Sequence, residues 1–220
     1  MEKEIEQFFY INKIPVFGCC RIGDEEKSKI YLTEKIVRKI NTAIVFGIPL
    51  SKGVIANLID GPDLLYLHHY RQANYLLDKI SYQLASLLEE KGYLSIPVPA
   101  SQIIDWKKQK ALLSHKYFAC LCGLGWLGRN NLIVNSVYRS RLRFTTVLTE
   151  LVIEKTNEVV EFGCGNCKNC VRMCPAGAIS EKAEQFDHIK CFEKIKEMTK
   201  KKNISQYICG LCIKACEKWD

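Results

Sequence analysis

The stretch Cys164-Gly-Asn-Cys167-Lys-Asn-Cys170-Val-Arg-Met-Cys174-Pro175 decides how this chain is read. Its cysteines stand at x2, x2 and x3 spacing, with a proline after the fourth. Three thiolates so spaced wrap one face of a 4Fe–4S cubane through a tight loop, and the fourth points away to a second cubane. Gly163 and Gly165 let the backbone fold close around the sulfides. A partner set must then exist, and it follows as Cys191 and Cys209-x2-Cys212-x3-Cys216. Crossing the two runs assigns Cys164, Cys167, Cys170 and Cys216 to one cluster. Cys174, Cys191, Cys209 and Cys212 make the other. Zinc also accepts four thiolates, but the x2, x2, x3, Pro order suits cubanes better. Such a module moves single electrons and does no bond chemistry itself. The rest of the chain is therefore expected to supply a second cofactor or a docking surface.

Eight of the twelve cysteines fall between Cys164 and Cys216. The composition thus changes near residue 160, and two domains are expected, 1–160 and 161–220. With 220 residues, 48% hydrophobic and 25% charged, the chain is no disordered, collagenous or coiled-coil protein. Its longest largely apolar run, residues 43–50, is far short of the roughly 20 residues that span a bilayer. The acidic start, Met1-Glu-Lys-Glu-Ile-Glu, lacks the apolar core of a signal peptide. A cytoplasmic location with no membrane partner is expected, where thiols stay reduced and a cysteine-rich chain implies metal, not disulfides. The formal charge of +8 is offset in part by anionic clusters. The mildly basic remainder is compatible with a nucleic-acid or phosphate partner and does not demand one.

The first 160 residues read as mixed α/β. Residues 3–11 form a short amphipathic helix and 14–19 a short strand. Ile30, Leu32, Ile36, Val37 and Ile40 place a helix over 28–40. Residues 43–48 form a buried strand ended by Pro49. A long helix covers 63–91, with Leu64, Leu67, Tyr75, Leu76, Ile80, Leu84, Leu87 and Leu88 facing inward and Gly92 as its stop. Pro97 confines a strand at 94–98 to a sheet edge or a strand end. A helix at 112–121 and strands at 131–135 and 143–153 complete the pattern.

Gly123-Leu-Gly-Trp-Leu-Gly128 formally fits the dinucleotide fingerprint, but it follows a helix and precedes a strand, which excludes a Rossmann turn. It is either a ligand-approach loop or a tight turn. Ser114-His-Lys116, Gly123-Leu-Gly-Trp-Leu-Gly-Arg-Asn-Asn-Leu-Ile-Val-Asn135 and Arg141-Leu-Arg-Phe-Thr-Thr-Val-Leu-Thr-Glu150, ahead of the double ladder, resemble epoxyqueuosine reductases, relatives of the reductive dehalogenases. Gly61-Pro62, His69-Tyr70-Arg71 and Asn74 extend the resemblance upstream. It implies a nitroreductase-like α/β (α+β) domain that holds cobalamin, followed by a small two-cluster ferredoxin-like domain. It also implies that the clusters feed electrons to cobalt for reductive cleavage, and that a positioned acid protonates the departing oxygen. In the named enzyme the substrate is an epoxide on a wobble nucleoside of tRNA. Longer relatives carry a C-terminal helical-repeat domain, so this chain is expected to be a short form. The family's catalytic aspartate has no counterpart: the aligned positions are Gln109 or Pro99, and Asp105 is the nearest carboxylate.

The candidate catalytic residues are accordingly Asp105 and His115. Gly123, Gly125, Trp126, Gly128 and Arg141 are the candidate cobalamin contacts. Trp126 would cover a flat macrocycle or pack in the core. Arg139, Arg141 and Arg143 are expected on one strand face, able to hold a phosphate or an RNA backbone, or simply solvated. His69 lines the pocket or caps a helix face. Cys19, Cys20, Cys120 and Cys122 read as buried thiols. The reading is an iron–sulfur reductase with two 4Fe–4S clusters and a cobalamin, fed by a ferredoxin- or flavodoxin-type donor, with tRNA as a possible partner. The rivals are a ferredoxin-type carrier or subunit and a flavin-dependent reductase on the same fold.

Overall fold

The computed structural model describes residues 1–154 and 157–217; the end of the expected second domain, 218–220, lies outside them. The chain divides into two compact units. One gathers Met1–Ile48, Asn74–Leu124 and Arg143–Val160, and the other Pro49–Ala73, Gly125–Leu142 and Glu161–Asp220. One limit between the units falls after Val160, but each unit is discontinuous, unlike the expected domains 1–160 and 161–220. Two segments of ordinary composition join the cysteine-rich one, and a composition shift cannot reveal them.

The first unit holds α1 (Glu2–Ile11), β1 (Val16–Arg21), α2 (Asp24–Lys27), α3 (Glu34–Val37) and most of β2 (Thr42–Pro49). In the second unit lies α4 (Lys52–Asn57), and α5 (Leu64–Glu90) starts there and continues in the first. β3 (Ser95–Val98) and α6 (His115–Leu121) return to the first unit. β4 (Trp126–Leu127) and β5 (Ile133–Val134) belong to the second, and β6 (Leu142–Thr149) runs almost wholly in the first. The second unit ends with α7 (Asn169–Met173), a 3₁₀ turn (Ala183–Gln185), α8 (His188–Lys201) and α9 (Leu211–Cys216).

A four-stranded sheet, in the order β1-β2-β6-β3, organises the first unit. β1 pairs antiparallel with β2 from Val16↔Gly47 to Arg21↔Thr42, and β3 pairs antiparallel with β6 from Ser95↔Thr149 to Val98↔Thr146. The inner strands are buried on both faces, which is why residues 43–48 read as an unbroken apolar run. Pro97 sits on the edge strand β3, where its missing N–H breaks no interior ladder. α1 closes one face: Phe9 stacks on Phe17 at 4.6 Å between ring centroids and meets Phe46 at 5.1 Å.

Two expectations fail here. Residues 28–40 form no single helix; α2 and α3 are one turn each, with Thr33 extended between them. Ile30 and Ile40 are buried all the same, so the apolar spacing marks contact points of a folded loop. On α5, Leu64, Tyr75 and Leu76 face solvent, and the buried stripe is Tyr66, Leu67, Tyr70, Ala73, Leu77, Ile80, Leu84 and Leu88. Among the described residues no helix is long and apolar enough to cross a membrane.

Candidate metal centre

In the second unit α7 packs against α9, bringing the first cysteine run beside the last. The thiols fall into two neighbourhoods. Burial first, then the nearby Cys216, Cys164 and Cys167, push the Cys170 thiol up to about 11. Cys216 is raised chiefly by burial and also by Cys164 and Cys167. Cys212 is raised by burial, then by Cys209, Cys191, Cys170 and Cys174. Burial and Cys174 raise Cys209. Cys209 and Cys212 thus lie near Cys174, and Cys216 lies near the early cysteines. Among the described residues no three Cys, His, Asp or Glu side chains stand close enough to grip a single metal ion.

The short ribbon β4–β5, paired antiparallel at Trp126↔Val134 and Leu127↔Ile133, belongs to the same unit and supports the first ladder. Trp126 Nε1–H donates to Cys164 Sγ at 3.3 Å, and its ring fills the place a side chain at Gly163 would need. The Arg129 guanidinium, 8% exposed, donates to the carbonyls of Gly165 at 2.8 Å, Cys167 at 3.1 Å and Glu181 at 2.5 Å. Arg129 therefore clasps the cysteine loop through its backbone, a role spacing alone did not disclose. Ser140 Oγ is wholly buried with no satisfied hydrogen bond. It stands beside Cys216, whose thiol the Ser140 hydroxyl and backbone N–H both draw down.

The glycine turn is closely packed by the chain's own atoms. Gly123, at φ +69°, has no room for a Cβ, which would lie 2.1 Å from the Glu158 carbonyl oxygen. At Gly125, φ +151°, it would lie 2.3 Å from the Val134 oxygen, and at Gly128 2.6 Å from Val134 Cγ2. Arg141 is also committed. Its Nη1 donates to Leu50 O at 2.5 Å and its Nε lies 3.0 Å from Glu217 Oε1. The expected arginine face does not form. Arg139 sits at φ +51° in the turn bridging Asn135, while Arg143 on β6 donates to Asn74 Oδ1 and to the Ala100 carbonyl.

No family model matches the chain. Over 61 residues, 28% of this chain and 17% of the relative, it is 39% identical to the epoxyqueuosine reductase of Lactococcus garvieae. Over 59 residues it is 41% identical to that of Salmonella typhimurium, covering 15% of it. A 30% match to the Cyclobacterium marinum enzyme spans 102 residues and 30% of that protein. The matched stretches thus cover a third or less of these relatives. Epoxyqueuosine reductase from Streptococcus thermophilus superposes with a TM-score of 0.64 at 17% identity, over 98% of this chain and 65% of that one. A B12-dependent reductive dehalogenase superposes with a TM-score of 0.75 at 20% identity, over 96% of this chain and 30% of the other. This chain has their fold.

His115 and Asp105, the expected acids, are both held by hydrogen bonds within the first unit. His115 Nε2 lies 2.9 Å from the Pro99 carbonyl, which can only accept, so Nε2 carries the proton. Nδ1 then accepts from the Thr146 hydroxyl at 2.8 Å. Both nitrogens are spent tying α6 to the ends of β3 and β6. Burial, assisted by Arg143 and opposed by the Pro99 hydrogen bond, lowers its pKa from 6.5 to about 4. A depressed base contributes stability above its unfolded pKa and loses it as pH falls through the folded one. The shift is worth up to about 3 kcal/mol. The gap in thermal midpoint between the wild type and His115→Gln should therefore shrink as pH falls from 7 to 5; a constant gap would contradict the assignment.

Asp105 Oδ1 accepts the backbone N–H groups of Lys107 and Lys108 at 2.9 and 3.0 Å, folding its own turn. His69 Nε2 accepts the Ser51 N–H at 2.8 Å, and burial, then His68, lowers its pKa. Cys19, Cys20 and Cys122 are buried as expected, whereas Cys120 is only half-buried. Burial pushes the Cys19 thiol up to about 12, the mark of an inert core thiol.

Proposed function

We propose that this chain is an iron–sulfur oxidoreductase whose second unit carries two 4Fe–4S clusters. Cys164, Cys167, Cys170 and Cys216 hold one, and Cys174, Cys191, Cys209 and Cys212 the other. One observation carries the reading: α7 packs against α9, which brings the Cys164–Cys174 run beside Cys209–Cys216, with Cys170 close to Cys216 and Cys212 close to Cys174. The donor chemistry fits, because thiolates on iron are relieved of the repulsion that raises their pKa as free thiols. Bound clusters supply one-electron transfer. The chain's own part is to fix the ligand loop through Arg129 and to cover it with Trp126.

Likeness of fold to epoxyqueuosine reductase and to the B12-dependent dehalogenase supports cobalamin as the acceptor and reductive cleavage as the reaction. A ferredoxin or flavodoxin would be the donor. One structural relative, 17% identical, is described with an epoxyqueuosine-modified tRNA stem loop, and such a tRNA is the first substrate to try. The residues first expected to hold cobalamin do not fit it. Gly123, Gly125 and Gly128 are filled by protein, Trp126 serves Cys164 and Arg141 is paired. The cavity of about 370 Å³ between α7 and α9 is lined by none of them. That misfit favours a second reading, an iron–sulfur carrier without a corrinoid.

Anaerobic reconstitution, incubation with cobalamin, desalting, and assay of iron, sulfide and cobalt separate the two. About eight irons and eight sulfides per chain are expected. One retained cobalt supports the reductase, none the carrier, and a bound flavin a third enzyme. Four irons or fewer would overturn the two-cluster reading.

A further inference from the structure

One cysteine sulfur in the second unit receives a hydrogen bond from outside the cysteine ladder, and a second lies near an unpartnered hydroxyl. Trp126 Nε1–H reaches Cys164 Sγ at 3.3 Å. The buried, otherwise unsatisfied Ser140 hydroxyl faces Cys216. Both cysteines belong to the same set, and both donors come from the segment between β4 and the start of β6. The same segment carries Arg129, a buried cation whose hydrogen bonds all end on carbonyls, two of them in the ladder loop. Glu181, which senses its charge, is exposed and paired with Lys168 at 2.5 Å. A buried guanidinium and a buried hydroxyl without a full partner are each unfavourable in isolation. An anionic group held by Cys164 and Cys216 would complete both.

We propose that Trp126 and Ser140 are positioning residues that raise the reduction potential of the cluster on Cys164, Cys167, Cys170 and Cys216, leaving the other cluster unmoved. The inference rests on the two-cluster reading above. One-electron reduction adds a negative charge that spreads onto the sulfurs. A donor aimed at a sulfur stabilises the reduced form more than the oxidised one. No proton is transferred: the electron comes from dithionite in the test and from the external donor in use.

The test is a dithionite titration of the reconstituted full chain, followed by electron paramagnetic resonance, for wild type, Trp126→Phe and Ser140→Ala. A variant with β-(3-benzothienyl)alanine at 126 keeps the bicyclic ring and lacks only the N–H. Each variant should retain about eight irons. One of the two reduction steps should become roughly tenfold harder, a downward shift of about 59 mV for one electron. The second step should stay in place, and the Trp126→Phe/Ser140→Ala double variant should move the first further. If Trp126→Phe loses iron, the benzothienyl and Ser140→Ala variants decide. Unmoved midpoints with full iron, or equal shifts in both steps, overturn the proposal while leaving two clusters standing. A wild type with no reducible cluster overturns both.

Discussion

Replacing Cys170 and Cys216 together by alanine should remove about four irons per chain, no more than either replacement alone, because both serve one cubane. Replacing Cys170 and Cys174 together should remove about eight, although the two lie four residues apart in the same run. An uncrossed ladder gives the opposite result: Cys170 with Cys174 would cost about four irons and Cys170 with Cys216 about eight. The expectation follows from the electrostatic neighbourhoods. Cys164, Cys167 and Cys216 raise Cys170, whereas Cys174 joins Cys209, Cys191 and Cys170 in raising Cys212. Alanine is preferred to serine because a serine oxygen can stand in as a ligand. Iron and sulfide assay on anaerobically reconstituted protein is sufficient, with the visible charge-transfer absorbance as a check.

Glu217→Gln should lower the thermal midpoint by about 10 °C. Glu217 and Arg141 form an ion pair at 3.0 Å whose side chains are only 6% and 13% exposed. Removing the carboxylate's charge leaves the guanidinium buried and unbalanced, which costs about 3–5 kcal/mol. For a chain of this size each kcal/mol moves the midpoint by about 2–4 °C. The double variant Arg141→Met/Glu217→Gln should recover much of the loss, since a buried pair is often replaceable by apolar groups. It should not recover all, because the Leu50 carbonyl loses the Arg141 Nη1 donor. Arg21–Glu154 is the control: at 3.0 Å it is as short, but its side chains are 59% and 78% exposed. Arg21→Ala should move the midpoint by no more than about 1 kcal/mol allows. Equal effects at the two pairs would refute the argument from burial.

The meeting of the early and late cysteine runs was legible because their spacing is stated outright in the sequence, and α7 does pack against α9. The same holds for the wholly buried β2 and for α5 ending at Gly92, which adopts φ +88° where only glycine sits easily. Residues 28–40 misled because apolar residues at helical spacing also arise in a loop that dips into the core at Ile30 and Ile40. Arg139, Arg141 and Arg143 misled because alternation was assumed to begin before β6 does, while Arg139 lies in a turn. The glycines at 123, 125 and 128 were read as a ligand-approach loop or a tight turn. What approaches them is Glu158, Val134 and Asn130 of the chain itself, and a sequence does not say whether a ligand or a backbone arrives. The indole N–H to Cys164 was invisible for a related reason: it joins residues 38 positions apart, and no local pattern encodes it.

The cysteine-bearing unit is assembled from Pro49–Ala73, Gly125–Leu142 and Glu161–Asp220. A ribosome therefore delivers its parts in three instalments, with every cluster ligand in the last. Two long intervening stretches must loop out before the instalments meet, a slow step for a chain emerging vectorially. If the proposed clusters are bound, iron loading would come late, after the ladder has cleared the exit tunnel. For the same reason the last 60 residues are not a portable cassette. Grafted elsewhere, they would arrive without Trp126, Arg129 and Ser140, and so without the scaffold that holds their first loop in shape.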